Sequence, residues 1–274
     1  MNEDNICPTN YFIEGFYNEP KDIEVMDKLW EILIGILQDI PHEQIAYIGL
    51  YGSQNYKLNN RDSDIDCECF IFPGIDQILF NSNIFSTTIP TSYGTCVIKD
   101  IRLAFDEIRK SSPNVLECFA TKYCLINREY QSQILDVCNG IDLFAILNKY
   151  KLLKGLQGLW DKYYIYTIDA HSTKYYANFL RLYTMINEIL DNEICFYSYL
   201  LVPKDIEFIK QIKNNPNFDE VFDKDYFENL RTKLQNKLNE YFHTNHMPEL
   251  NLSIYDEINA KQKALLTKYI KLTF

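Results

Sequence analysis

The chain has 274 residues, 47% of them hydrophobic and 24% charged, which excludes collagen-like and disordered chains and leaves room for one large domain or two small ones. Its Lys and Arg total 27 against 38 Asp and Glu, a net charge of −11 that excludes a uniformly electropositive nucleic-acid wrapper but not a local basic patch. Residues 1–150 hold 11 basic and 22 acidic side chains and residues 151–274 hold 16 of each, so the whole excess lies in the first half. A metal-binding catalytic half and an ordinary solvated acidic surface both give that pattern.

In chain order, the start from Met1 to Cys7 lacks the basic n-region of a signal peptide, and nowhere is there a run of 18 apolar residues. The expectation is a soluble, cytoplasmic protein with no membrane partner. Residues 22–39 carry Ile23, Met26, Leu29, Trp30, Leu33, Ile36 and Leu37 at helical spacing up to Pro41, which predicts a first amphipathic helix. Gln44 to Tyr51 is a short apolar run stopped by Gly52 and predicts a buried strand. After a polar stretch, Asp64 to Phe72 alternates until Pro73-Gly74, and Thr95 to Lys99 predicts a third strand. Between these, Gly74 to Tyr93 is rich in Asn, Ser and Thr and predicts a loop or a partly helical excursion. Asp100 to Lys110 predicts a helix capped by Asp100, and Pro113 opens another through Phe119.

From Asp142 onward the pattern is helical, near 142–166, 173–190, 204–213, 223–242 and 253–271, with loops at Pro203, Pro216 and Pro248. The chain therefore divides into an α/β module over 1–141 and an α-helical module over 142–274. Eight cysteines, at 7, 67, 69, 96, 118, 124, 138 and 195, form no C-x-x-C pair and read as reduced, mostly buried thiols. Cys67 and Cys69 with His171 or His243 have a poor spacing for zinc.

The stretch from Tyr51 to Asp66 carries chemistry. A strand delivers Gly52-Ser53, ten residues intervene, and Asp64-Ile65-Asp66 opens the next strand. Strand side chains alternate, so the two carboxylates project from one face with β-carbons roughly 6–7 Å apart. Like charges so placed repel, and burying them costs several kcal/mol unless a cation or hydrogen bonds compensate. Mg²⁺, or Mn²⁺, suits such hard oxygen ligands and recruits substrate phosphates to complete its shell. Gly52 lets the backbone approach a phosphate, and the Ser53 hydroxyl and nearby amides can donate to it. A lone D-x-D also occurs in solvated turns; the strand, the Gly-Ser turn and the loop length together favour the metal reading.

These residues resemble the signature of the polymerase-β superfamily of nucleotidyltransferases: an apolar strand, G-[GS], about ten residues, then D-h-D. The chain is most similar to the predicted nucleotidyltransferases associated with RNA ligases in phages and bacteria. Ser63-Asp64-Ile65-Asp66 matches their S-D-x-D, Ser112 to Glu117 (SPNVLE) their N-P-N-x-L-E, Lys174 to Leu182 their helical K-x-x-x-H-x-x-R-L, and Met247-Pro248 a late Leu-Pro. Three positions depart: Ser112 replaces Asn, Asn178 replaces His, and Glu68 stands where Lys is frequent. Glu68 adds either a further metal contact or an exposed strand-end charge.

The resemblance implies a small mixed polymerase-β-type sheet with flanking helices, followed by an all-α half that closes over the nucleotide. It implies transfer of NMP from an NTP to an acceptor hydroxyl with release of pyrophosphate, the acceptor being an RNA end. Asp64 and Asp66 would hold the metal, and Gly52 and Ser53 would bind phosphates. A third carboxylate is implied on a neighbouring strand; Asp100 is the candidate because it closes the third predicted strand, with its helix-cap role as the alternative and Glu117 in reserve. Basic residues near the matching motifs, Lys57, Arg61, Lys99, Arg102, Lys174 and Arg181, are candidates to meet the triphosphate. Arg181 lies among Phe179, Leu180 and Leu182, so it has either an anionic partner or a stem that covers apolar surface. The Tyr163-Tyr164 and Tyr175-Tyr176 pairs can stack a base, or simply pack a helical core. Two further readings stand beside this one: nucleotidylation of a protein Ser, Thr or Tyr, which the acidic balance favours, and a nucleotide- or protein-binding module without catalysis, favoured if no third carboxylate approaches Asp64 and Asp66.

Overall fold

A computed structural model describes residues 12–14, 20–60, 63–146, 149–191, 203–245 and 252–273. The fold is mixed α+β: a six-stranded mixed sheet with flanking helices, followed by a helical region. The sheet order is β1 (Phe12–Glu14), β6 (Cys124–Asn127), β2 (Ile45–Tyr51), β3 (Asp66–Ile71), β5 (Thr95–Asp100), β4 (Ser86–Pro90). All neighbours are antiparallel except β3 and β5, which run parallel with Cys67 opposite Cys96 and Ile71 opposite Asp100. No helix among the described residues is long and apolar enough to cross a membrane.

The two faces of the sheet follow from strand alternation. Ile48 and Leu50 on β2 and Cys67, Cys69 and Ile71 on β3 pack against Met26, Leu29 and Leu33 of α1 (Pro20–Ile36). Tyr47, Phe70 and Phe72 point the other way, into a larger core with α3 (Ile101–Arg109) and α4 (Pro113–Ala120). There the Tyr47, Phe70 and Phe119 rings stack within 4.9–5.9 Å of one another. The α4 backbone lies close on β2: Tyr47 Oη donates to Cys118 O at 2.6 Å, and a Cβ on Gly49 would meet that same carbonyl at 2.5 Å. The close approach brings Glu117, on α4, to the end of β2.

Beyond β6 come α5 (Gln131–Ile146), α6 (Lys149–Ala170), α7 (Thr173–Asp191), α8 (Ile206–Asn214), α9 (Phe218–Val221), α10 (Lys224–Thr244) and α11 (Leu252–Thr273). They join the same core as the sheet's second face: Trp160 stacks on Phe179 at 5.1 Å, and Tyr269 of α11 stacks on Phe72 at 4.3 Å. The start of the helical region thus falls earlier than residue 142, because Ile134, Val137 and Ile141 form a buried stripe on α5. Within the excursion from Gly74 to Tyr93 lie a short helix, α2 (Ile75–Leu79), and the edge strand β4.

The zinc arrangement imagined at Cys67 and Cys69 is not assembled: both thiols are buried under α1, while His171 packs on Phe218. Asp100 is fully buried and caps α3, accepting from Arg102 N at 2.8 Å and pairing with the Arg102 side chain at 2.6 Å. Arg102 in turn donates to Gln77 O and Ser82 O, so the pair anchors the excursion between β3 and β4. Breaking a buried pair by removing one partner destabilises by about 3–5 kcal/mol. Asp100→Ala is expected to lose that much in urea denaturation; a loss below about 1 kcal/mol would contradict the structural role.

Candidate active site

Strand β2 ends at Tyr51, and the chain bends at Gly52, whose φ of +99° lies in the left-handed region. Ser53 follows on the wall of a cavity of about 240 Å³ between the sheet end and helices α4, α6, α7 and α8. Asp64 and Asp66 line the same cavity. Ile65, between them, is buried against the α1 side, which turns its two neighbours to the opposite side. Asp66 Oδ1 accepts from Thr95 N at 3.1 Å and Thr95 Oγ1 at 2.7 Å. Asp64, with a side chain 58% exposed, sits 3.8 Å from Lys174 Nζ. Burial and the neighbouring Asp66 carboxylate push the Tyr51 phenol well above its usual range.

Glu117 is the third carboxylate at the cavity. Its Oε1 accepts from Gly52 N at 2.7 Å and Asn55 Nδ2 at 3.0 Å, and its Oε2 accepts from Tyr56 Oη. Burial pushes its carboxyl above the ordinary range, opposed by Arg181 and by these donors. Arg181, on α7, is 6% exposed, lies with its guanidinium carbon 3.8 Å from the Tyr56 ring centroid, and has a buried Nε without a hydrogen-bond partner.

Around the same space stand Lys162, Lys174 and Lys213. Lys213 Nζ donates to Leu58 O at 2.5 Å, and burial with help from Lys174 pulls its pKa down to about 8. Leu156, Leu182 and Met185, all buried, supply an apolar wall.

The structure brings together Gly52, Ser53, Asp64, Asp66, Lys174 and Arg181 from the sequence-predicted set. Others are placed elsewhere. Asp100 lies opposite Ile71, five positions along the ladder from the level of Asp66, about 16 Å away at strand rise. Opposite Asp66 on β5 stands Thr95, so that strand offers no carboxylate there. Lys57 is exposed and does not line the cavity. Lys99 is buried between Glu68 at 3.0 Å and Glu107 at 2.9 Å, and Arg102 is engaged by Asp100. Glu68 therefore meets a lysine rather than the cavity, and burial raises its pKa against that partner's pull. Arg61 and the Met247-Pro248 motif lie outside the described residues. Of the tyrosine pairs, Tyr163 reaches the cavity, while Tyr164 packs on Phe227 and Tyr176 on the Phe222 and Phe227 rings.

Sequence reasoning missed Lys162, Lys213 and Tyr56. No motif marks the two lysines, which reach the site only through the packing of α6 and α8. Tyr56 lay within the loop between the two recognised motifs. Among the described residues, no three His, Cys, Asp or Glu side chains gather closely enough to hold a metal by themselves. The donor set that does face the cavity, two carboxylates beside open space, fits a hard cation that keeps waters and shares phosphate oxygens. Compared with known proteins, the chain matches no family model and no curated protein.

The Gly52 bend is held by conformation and not by lack of room, because a Cβ there would touch nothing within 4 Å. A left-handed backbone costs a non-glycine residue about 1–2 kcal/mol. Gly52→Ala is expected to lose that much stability by chemical denaturation; an unchanged midpoint would contradict the assigned bend.

Proposed function

We propose that the protein is a metal-dependent nucleotidyltransferase of the polymerase-β type that moves NMP from an NTP to an acceptor hydroxyl, an RNA end, releasing pyrophosphate. The observation that carries the proposal is Arg181: a nearly fully buried guanidinium with an unpartnered Nε, on the cavity that also holds Ser53, Asp64 and Asp66. A buried charge short of hydrogen bonds is costly, and an anion seated in the cavity that Arg181 lines would offset that charge. Lys162, Lys174 and Lys213 add positive charge around the same space, as a triphosphate requires.

Asp64 and Asp66 are the residues that would hold Mg²⁺ or Mn²⁺, and the ion would neutralise phosphate charge and acidify the acceptor hydroxyl. Ser53 Oγ and N–H have no protein partner among the described residues and would donate to phosphate, whereas the Gly52 N–H is already taken by Glu117. Arg181 and Lys174 would steady the departing pyrophosphate. The acceptor oxygen forms its bond to the α-phosphorus, the bridge to the β-phosphate breaks, and the hydroxyl proton passes to solvent. Positioning and charge stabilisation supply most of the rate in such transfers. One observation favours a nucleotide-binding module without transfer: Glu117, the third carboxylate at the cavity, has both oxygens engaged by the turn.

The deciding experiment offers each α-labelled NTP with Mg²⁺ or Mn²⁺ to the protein in the presence of RNA and of cell protein. Label in RNA, abolished by Asp64→Ala with Asp66→Ala and reduced at least about tenfold by Arg181→Met (~1.4 kcal/mol or more), is the expected result. Label in protein instead would move the acceptor to a side-chain hydroxyl; no metal-dependent transfer would leave only the binding module. A second expectation concerns pH. Lys213 loses its proton near pH 8, so affinity for inorganic triphosphate should fall as pH rises through that value. Lys213→Met should flatten the profile, and an unaltered pH profile in that variant would exclude Lys213 from the anion site.

A further inference from the structure

We propose that Glu117 is the positioning residue of the phosphate-binding turn: it takes the Gly52 N–H for itself and so fixes the left-handed bend that sets Ser53 on the cavity wall. The inference rests on the reading of the cavity as a nucleotide site.

Every bond that Glu117 makes is to the segment between Gly52 and Tyr56. One oxygen takes the Gly52 amide and the Asn55 side-chain amide, and the other takes the Tyr56 hydroxyl. Asn55 is itself saturated: its Nδ2 also donates to Leu50 O at 3.0 Å, and its Oδ1 accepts from Thr121 Oγ1 at 2.6 Å. The turn is thus fastened by α4 and the residue that follows it, from both ends, by groups more than 60 positions away in sequence. Arg181, stacked on Tyr56, balances the Glu117 charge, so the carboxylate is compensated without any ligand. With its oxygens spent on the turn, Glu117 acts through Ser53 and not on the reacting atoms.

Geometry and charge are separable here. Because Gly52 N and Asn55 Nδ2 share one oxygen, Gln can keep both bonds, and its amide nitrogen can donate to Tyr56 Oη. Asp keeps the charge but draws the acceptor back by about one carbon–carbon bond, roughly 1.5 Å, out of reach of Gly52 N. The readouts are the Kd for inorganic triphosphate with Mg²⁺ and hydrogen exchange of the Gly52 amide, with thermal melts as the check on folding. Glu117→Asp is expected to raise the Kd at least about tenfold and to speed Gly52 exchange, while Glu117→Gln stays within about threefold of wild type in Kd. Equal weakening by Glu117→Gln, with the fold intact, would overturn the proposal, as would unchanged Gly52 exchange in Glu117→Asp. Should Glu117→Asp not fold, Glu117→Gln decides alone by the same threefold criterion. If wild-type protein binds no triphosphate, the nucleotide reading falls, and the exchange result still judges the clamp.

Discussion

A buried positive charge and a buried negative charge meet at one tyrosine, and the site depends on that meeting. Arg181 stacks on Tyr56, whose hydroxyl donates to Glu117, which in turn holds Gly52. These residues come from α7, from the loop after β2, from α4 and from the strand end. Each charge offsets part of the other's burial cost. Their mutual compensation lets a cationic group wait in a buried wall, its Nε without a hydrogen bond, and ties the helical region to the sheet at the point where the cavity opens.

Several buried acids of the first half are compensated in the same way. Asp22 is engaged by Tyr123 and by the part-exposed Lys122, Asp100 by Arg102, and Glu68 by Lys99, each acid being buried. Such acids organise the fold: Asp100 starts α3 and, through Arg102, pins the β3 to β4 excursion. Asp64 and Asp66 differ, because they face a cavity whose other charged groups are mostly cations. Some acids of the first half therefore serve structural pairing, and Asp64 and Asp66 line the site.

Much of the fold was legible because periodicity is strong where one face is buried. The stripes of α1 and α3, the Pro113 start of α4 and the strands β2, β3 and β5 follow their sequence signals closely. The other strands carry weak signals. β4 is a Thr-rich, exposed edge with no apolar face, and β6 is four residues buried on both sides, so neither shows clear alternation. At the site, local spacing was enough to put Gly52, Ser53, Asp64 and Asp66 together. Asp100 shows the limit: a residue at the end of a neighbouring strand lies beside the site or about 16 Å from it according to which end of the ladder it occupies, and only the parallel register of β3 and β5 decides. Lys162 and Lys213 depended on how α6 and α8 pack, a tertiary property with no local signature.

The central claim is that one polyphosphate and one divalent ion fit between the Asp64/Asp66 pair and Arg181. A crystal structure with a non-transferable NTP analogue and Mn²⁺, the ion located by its anomalous scattering, tests it most directly. The account predicts manganese within bonding distance of both aspartates, and phosphate oxygens on the Arg181 guanidinium and the Ser53 hydroxyl. Manganese and nucleotide bound elsewhere, with no phosphate oxygen on the Arg181 guanidinium, would contradict it.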